Sequence, residues 1–342
     1  MSGRDPTALL KSIWEYPLLG EAEASWAVKE SQILLGNLAS AREQPSLGVS
    51  IITTELGTIA FGDSVEGRID RCISWALARA ETEAPYRLLA EVRDPIGFGT
   101  LQIKPDLRHT LAFAIILLRA GREHGRTDGY VSLALRSQQE DGGWLPADPK
   151  SDSAVFTTLY GLECLLLADR NPVIIDRGLK LTDARTDAFG WLEKERDSAG
   201  LWSTGVFRDR PWDRIIATGW VLHRLSAFPE DLPQNVHSYL HKATDSLVRL
   251  ATSSQTWAGI PEAQRFRLES RAAGAVGRIA RANLLPEHLL EASQRYLSAW
   301  NAALPSLFNR LRPEDVDVST ATFAVWACSS VAEMRKAGRS IS

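Results

Sequence analysis

Apolar residues recur along the chain with a helical period. From Ile69 to Ala80 they fall at Ile69, Cys72, Ile73, Ala76, Leu77 and Ala80. That spacing predicts a helix that buries one face. Ala154–Leu167 has a different pattern and is apolar on nearly every side. A helix apolar all round is buried all round. The two kinds of segment alternate, and two concentric layers of helices satisfy both, one-sided helices outside and buried helices inside. Strand signals are scarce. Gly48–Ile52 is the tempting run, and its continuation Thr53–Phe61 reads better as helix.

The alternation is a repeat. One copy runs Gln138-Gln139-Glu140-Asp141-Gly142-Gly143-Trp144, then Lys150-Ser151-Asp152-Ser153, then the apolar run from Ala154. A second runs Arg196-Asp197-Ser198-Ala199-Gly200-Leu201-Trp202, then Trp212-Asp213-Arg214, then Ile215–Leu225. Fainter copies place Asp106 before Leu107–Arg119, Glu269 before Ser270–Ile279, and Asp315 and Asp317 before Ser319–Met334. Outer anchors Trp26, Trp75, Leu133, Trp191, Leu247 and Trp300 are spaced by about 50–58 residues, enough for two helices and a long turn. The spacing predicts one domain over 1–342 with helical hairpins at about 24–61, 65–121, 127–168, 184–226, 238–281 and 286–336.

Each recurring element of the turn has a physical task. Glycine tolerates the positive φ of a tight turn. A Trp indole can cover the end of the inner helix and donate its N–H. An Asp at the start of an inner helix is placed to cap it, a contact typically worth about 1 kcal/mol, and suits the positive end of the helix dipole.

Charge and cysteine usage narrow the classes. The net charge of -3 and a pI near 6.1 argue against a protein held on nucleic acid by phosphate contacts. Cys72, Cys164 and Cys328 lie far apart in apolar segments with no C-x-x-C pair, which points to buried reduced thiols in a cytoplasmic protein. Asp5, Lys11 and Glu15 interrupt the N-terminal segment, so it does not read as a signal peptide. Apolar runs such as Leu111–Leu118 are too short to span a bilayer, so no integral membrane segment is expected.

Gln138-x-x-x-Gly142-x-Trp144 resembles the QxxxGxW repeat of squalene-hopene and related class II terpenoid cyclases. The longer run, from Gln139 to Trp144 with Asp152 and Tyr160-Gly161-Leu162, is similar to the repeat of protein prenyltransferase β subunits and thioester-containing complement domains. The resemblance implies an all-α fold, an α6/α6 toroid of about six helical hairpins with a central cavity.

The resemblance also frames the chemistry. Prenyltransferases hold zinc with an Asp at an inner-helix start and a Cys two residues on. Here those positions are Asp152 and Ala154, and Asp213 is followed by Ile215, so no metal or other cofactor is expected. No thioester run occurs either. Class II cyclases protonate their substrate from a D-x-D-D motif. Asp315-Val316-Asp317-Val318 looks like a degraded version, with Asp317 as the implied proton donor, Asp315 as its partner and Val318 in place of the last carboxylate. Capping of the last helix explains the same two residues. Phe113, Phe156, Tyr160, Trp220, Phe323 and Trp326 are candidates to line a cavity that stabilises cations, and core packing accounts for them equally.

Arg208, Arg210, Arg214, Arg265, Arg267 and Arg271 cluster before two successive inner helices, where arginine and helix N-termini suit a diphosphate. Asp209, Asp213, Glu262 and Glu269 are interleaved and would neutralise an exposed face. Paired-carboxylate glycosidase chemistry ranks third, with Asp106, Asp152, Asp213, Glu269 and Asp317 around one rim. The first expectation is therefore a terpenoid-cyclase-like protein that binds an apolar isoprenoid or prenyl diphosphate and cyclises it by protonation. The alternative is a non-catalytic toroid acting as a ligand-binding scaffold or engaging a protein partner.

Overall fold

The structure is a computed structural model, and it describes residues 89–92, 102–105, 107–119, 127–146, 153–175, 181–206, 210–308, 327, 330 and 331. The tempting strand Gly48–Ile52 lies outside these residues. The chain divides into two compact units, one of Lys29–Lys194 and one of Met1–Val28 with Glu195–Ser342.

In the Lys29–Lys194 unit, strands β1 (Leu89–Val92) and β2 (Gln102–Pro105) form an antiparallel ribbon in which Leu89 pairs with Pro105 and Val92 with Gln102. The helical periodicity gave no sign of this ribbon. Four residues a side are too few to establish a period of two, and Pro105, which has no N–H for a ladder, closes the run. Helices α1 (Leu107–Arg119), α2 (Thr127–Ser137), α3 (Ala154–Ala168), the short α4 (Pro172–Ile175) and α5 (Thr182–Lys194) follow. Helix α3 packs against α1, α2 and α5, and its residues from Thr157 to Leu166 are all buried. Its apolar sides therefore reflect neighbours on several sides, as an inner helix requires. Cys164 lies in this core as a free thiol, and burial pushes its pKa up to about 12, leaving it unreactive.

The Gly–Trp turn joins α2 to α3. The Gln139 amide donates to the Gly143 carbonyl at 2.8 Å, and the Gly142 amide to Gln139 at 3.0 Å. Trp144 is fully buried. Its indole N–H donates to the Ala134 carbonyl at 2.7 Å and its backbone N–H to Thr158 Oγ1 at 2.9 Å. Gln138 Nε2 donates to the carbonyls of Gly142 and Ala184. Gly161 lets the indole lie flat on α3, since a Cβ there would sit 2.5 Å from Trp144 Cδ2.

In the other unit, α6 (Pro211–Leu225), α7 (Gln234–Thr252), α8 (Glu262–Arg281) and α9 (Glu287–Phe308) are linked by turns and short 3₁₀ segments. Helix α8 packs against α6, α7 and α9. Helix α6 meets α8 at Gly219, where a Cβ would be 3.4 Å from the Arg271 carbonyl oxygen. Four residues further along α6, His223 meets Arg278, seven residues further along α8. The two contacts advance in the same direction, so α6 and α8 run parallel with their N-terminal ends together. The second Gly–Trp turn precedes α6. The Asp197 amide donates to the Leu201 carbonyl at 2.9 Å, and the Trp202 amide to Thr218 Oγ1 at 3.0 Å. A third Trp repeats the indole bond, with Trp257 Nε1 donating to the Ala251 carbonyl at 2.9 Å.

Candidate functional site

The shared N-terminal end of α6 and α8 gathers most of the predicted polar residues that the structure describes. Arg210 is the exposed N-cap of α6 and makes no side-chain capping bond. Pro211 opens the helix, where its missing N–H is no loss. Asp213 is therefore the third helical residue and not the cap that the sequence led us to expect. It is fully buried. Its Oδ2 accepts from Ser203 Oγ at 2.6 Å and from the Thr204 amide at 2.9 Å, and its Oδ1 accepts from Thr204 Oγ1. Both oxygens thus hold the segment 203–206 against the helix. The other described inner helices also lack an acidic cap: α3 starts after Ser153, which makes no side-chain capping bond, and α8 after Pro261. Asp106 and Asp152 lie outside the described residues.

Arg214 Nε bridges Asp197 Oδ2 at 2.9 Å, tying α6 to the turn before it. On α8, Arg265 Nε donates to Glu269 Oε1 at 2.8 Å and its guanidinium lies 5.6 Å from the centre of the Trp257 ring. Arg267 and Arg271 are half-buried on the same helix. Glu269, one of the interleaved acids, therefore neutralises Arg265 in part, and Asp197 of the preceding turn does so for Arg214. Glu269 has its proton affinity raised by burial, and its bond to Arg265 opposes the shift. The Tyr296 hydroxyl of α9 is buried, and burial together with the Glu269 charge raises its pKa.

Of the predicted aromatic residues, Trp220 belongs to the same helix as Asp213. Trp220 lies deeper on α6, half-buried, with Arg224 stacked over its ring at 4.7 Å and His223 stacked at 5.7 Å. Arg278 donates to His223 at 2.9 Å. Phe156, half-buried, and Tyr160, buried, belong to α3 in the other unit. Phe113 lies within α1. Arg208, Asp315, Asp317, Phe323 and Trp326 lie outside the described residues. Among the described residues no group of three or more His, Cys, Asp or Glu side chains could hold a metal ion, and no helix is long and apolar enough to cross a membrane.

Sequence reasoning missed four residues that hold the turns and the loop before the inner helices. Thr158 and Thr218 receive the Trp amides, and Ser203 and Thr204 hold Asp213. A Thr on an otherwise apolar inner helix, placed after a Gly–Trp turn, is the signal that marks the first pair. The Ser203-Thr204 pair carries no signal that separates it from an ordinary loop.

No protein-family model and no curated protein matches the sequence. Solved structures do. The chain is similar to the α-1,6-mannanase GH76A of Salegentibacter sp. HEL1_6, with a TM-score of 0.56 and 12% identity over 96% of this chain and 100% of that one. An inactive variant of that enzyme in which two adjacent aspartates are replaced by alanine, in complex with α-1,6-mannotetrose, aligns with a TM-score of 0.57 and 13% identity over 97% of this chain and 100% of that one. The corresponding asparagine variant, in complex with α-1,6-mannotriose, gives 0.56 and 12% over 96% and 100%. The fold is an α/α toroid. The all-helical toroid expected from the sequence holds, with the β1–β2 ribbon as an addition.

The expected kinship does not hold. These structural neighbours are glycoside hydrolases, not terpenoid cyclases or prenyltransferases. Cyclisation from Asp317 with Asp315, and an apolar prenylated ligand, are corrected with it, because the neighbours' ligands are manno-oligosaccharides. The physical reason lies in the turn that carried the resemblance. Its Gln and Trp groups bond to Ala134, Thr158 and Ala184, so it specifies a joint between helices and not the contents of a cavity.

Proposed function

We propose that this toroid binds a mannose-based oligosaccharide at the N-terminal end shared by α6 and α8. The observation that carries the reading is the likeness over 96–97% of the chain to a mannanase in complex with α-1,6-linked mannotriose and mannotetrose. The chemistry of this end suits a polyhydroxylated ligand. Arg210, Arg214, Arg265 and Arg267 offer N–H donors in fixed forks, and Trp212, half-buried at the second position of α6, adds an aromatic ring.

The reading is one of binding and assigns no hydrolytic step to Asp213. Glycoside hydrolysis ordinarily uses two carboxyl groups flanking the bond. The neighbour is inactive when two adjacent aspartates are replaced, and this sequence contains no Asp-Asp pair. Asp213 is at the right end of α6, but its oxygens are held by Ser203 and Thr204.

Calorimetric titration with α-1,6-mannotriose and α-1,6-mannotetrose, followed by product analysis after long incubation, tests the reading. Binding with a Kd on the order of 0.1 mM or tighter is expected, with the sugar recovered intact. Absence of heat with both sugars at about 10 mM would overturn it. Release of shorter mannosides would show that the toroid cleaves what it binds.

A further inference from the structure

We infer that the seam between α6 and α8 binds an acidic glycan, an oligosaccharide carrying phosphate or carboxylate groups. The inference rests on the oligosaccharide reading and adds the charge of the ligand and the path it follows. After Pro211, the residues of α6 that keep access to solvent are Trp212, Arg214, Ile216 and Trp220. Trp212, Ile216 and Trp220 recur every four residues and share one face. From Arg267 to Arg281 on α8, access is kept by Arg267, Glu269, Arg271, Arg278 and Arg281. Arg267, Arg271 and Arg278 share one face, with Arg281 at its edge, while Glu269 lies on the opposite face with Arg265.

Both faces look to the same side of the seam. Gly219 and Ala275 mark where the helices meet. At about 100° per residue, the Trp face of α6 lies clockwise of Gly219 seen from the N-termini, and the Arg face of α8 lies counterclockwise of Ala275. The helices run parallel, so these opposite turns bring the two faces together. They touch further along, where Arg278 donates to His223 at 2.9 Å and His223 stacks on Trp220. From Arg267 to Arg278 the arginine face covers about 16 Å, the length of an oligomer rather than a single sugar. Helix α8 carries five arginines and two acids in a chain whose net charge is -3, so the positive charge is concentrated here. The acid of α6, Asp213, is buried and already accepts from Ser203 and Thr204. Arginine forks match carboxylate and phosphate, and tryptophan rings suit the flat faces of sugars. A neutral glycan would use the second set alone.

Calorimetry compares α-1,6-mannotetrose with the same sugar phosphorylated at its terminal 6-hydroxyl and with a tetrasaccharide of galacturonic acid. At least one acidic sugar is expected to bind about tenfold more tightly than mannotetrose. Which of the two does so tells whether phosphate or carboxylate is read. That preference should shrink severalfold between about 0.05 and 0.5 M salt. Arg271→Gln should lower the ratio of acidic to neutral affinity about tenfold. Arg281→Gln, at an exposed position that guards against misfolding, should lower it about twofold. A purely structural role would weaken all three sugars equally and leave the ratio unchanged, which would overturn the inference. Equal wild-type affinity for neutral and acidic sugars would overturn it too and leave the oligosaccharide reading standing. So would tighter binding of pyrophosphate or of a single-stranded oligonucleotide than of either acidic sugar. If no sugar binds, the oligosaccharide reading has failed and takes this inference with it.

Discussion

The two Gly–Trp turns, 138–144 and 196–202, share an inner half and differ in the outer one. In both, an amide bonds to a carbonyl four residues on, and the Trp amide donates to a threonine of the following helix. Outward, the first turn is held by groups that cannot move. A Cβ on Gly142, which has φ +95, would lie 2.3 Å from the Asp187 carbonyl oxygen, and Trp191 Nε1 donates to Asp141 Oδ2. The second turn is held by two side chains of α7. Lys242 Nζ donates to the Ser198 carbonyl at 2.9 Å and Ser246 Oγ to the Ala199 carbonyl at 2.7 Å. The shared half specifies the joint to the inner helix, and the variable half specifies which neighbour braces it.

Replacing the paired glycines breaks the comparison most sharply. Gly142→Ala adds a side chain at positive φ and drives it into backbone that is itself part of α5. A loss of about 4 kcal/mol is expected, at the upper end of single-site effects. Gly200→Ala meets the same strain at φ +85, but the nearest atom is Lys242 Cγ at 2.9 Å, on a flexible and exposed side chain that can swing away. About 1–2 kcal/mol is expected there. Urea unfolding of both variants measures the difference. Equal losses would mean that backbone strain alone dominates and that the outer brace contributes nothing.

The shared half makes the opposite prediction. Thr158→Val and Thr218→Val each leave a buried Trp amide without an acceptor, which costs about 1–2 kcal/mol. The two bonds are 2.9 and 3.0 Å long and both threonines are fully buried, so the losses should agree within about 0.5 kcal/mol. A larger gap in unfolding free energy would show that the two joints are not equivalent.

How far the sequence revealed these features depends on the range of the interactions behind them. Apolar periodicity is local, so the inner character of Ala154–Leu167 was legible and the core of α3 follows it. The Gly and Trp of the turns were legible because only those side chains serve there. The partners Thr158 and Thr218 were not, since a hydroxyl on an apolar helix looks like a tolerated substitution. The role of Asp213 was misread for a related reason. A helix-start aspartate resembles a cap whether its oxygens face its own helix or, as here, Ser203 and Thr204. The ligand class was misread because the motif that carried the resemblance builds the barrel wall, and the wall is common to unlike chemistries.

Glu269 gives a weaker effect with a definite sign. Its carboxyl is held above the usual value by burial, partly offset by Arg265. The folded state therefore binds this proton more tightly than the unfolded chain, and stability contributed by the neutral form is lost as pH rises from about 4.5 through the folded pKa. Glu269→Gln, which cannot ionise, should lose less stability between pH 4.5 and 7 than the wild type. Thermal unfolding across that range checks it, and parallel pH profiles would place the carboxyl in water.

Gly219→Ala has the smallest expected effect because it sets two similar contributions against each other. Alanine in a helix interior gains about 1 kcal/mol over glycine. The added methyl would meet the Arg271 carbonyl oxygen at 3.4 Å and Ala275 Cβ at 3.8 Å, both on α8. The first distance is near the tight limit of ordinary contact, so α6 gives by only a few tenths of an ångström and the net change stays within about 1 kcal/mol. The position is informative because α6 and α8 carry the proposed binding end on a common frame. Calorimetry with α-1,6-mannotetrose on the folded variant shows whether a small shift of that frame reaches the binding end. Affinity should fall no more than about threefold, since segment 203–206 is tied to α6 through Asp213 and moves with it. A tenfold loss would mean that the ligand reads the spacing between the two helices.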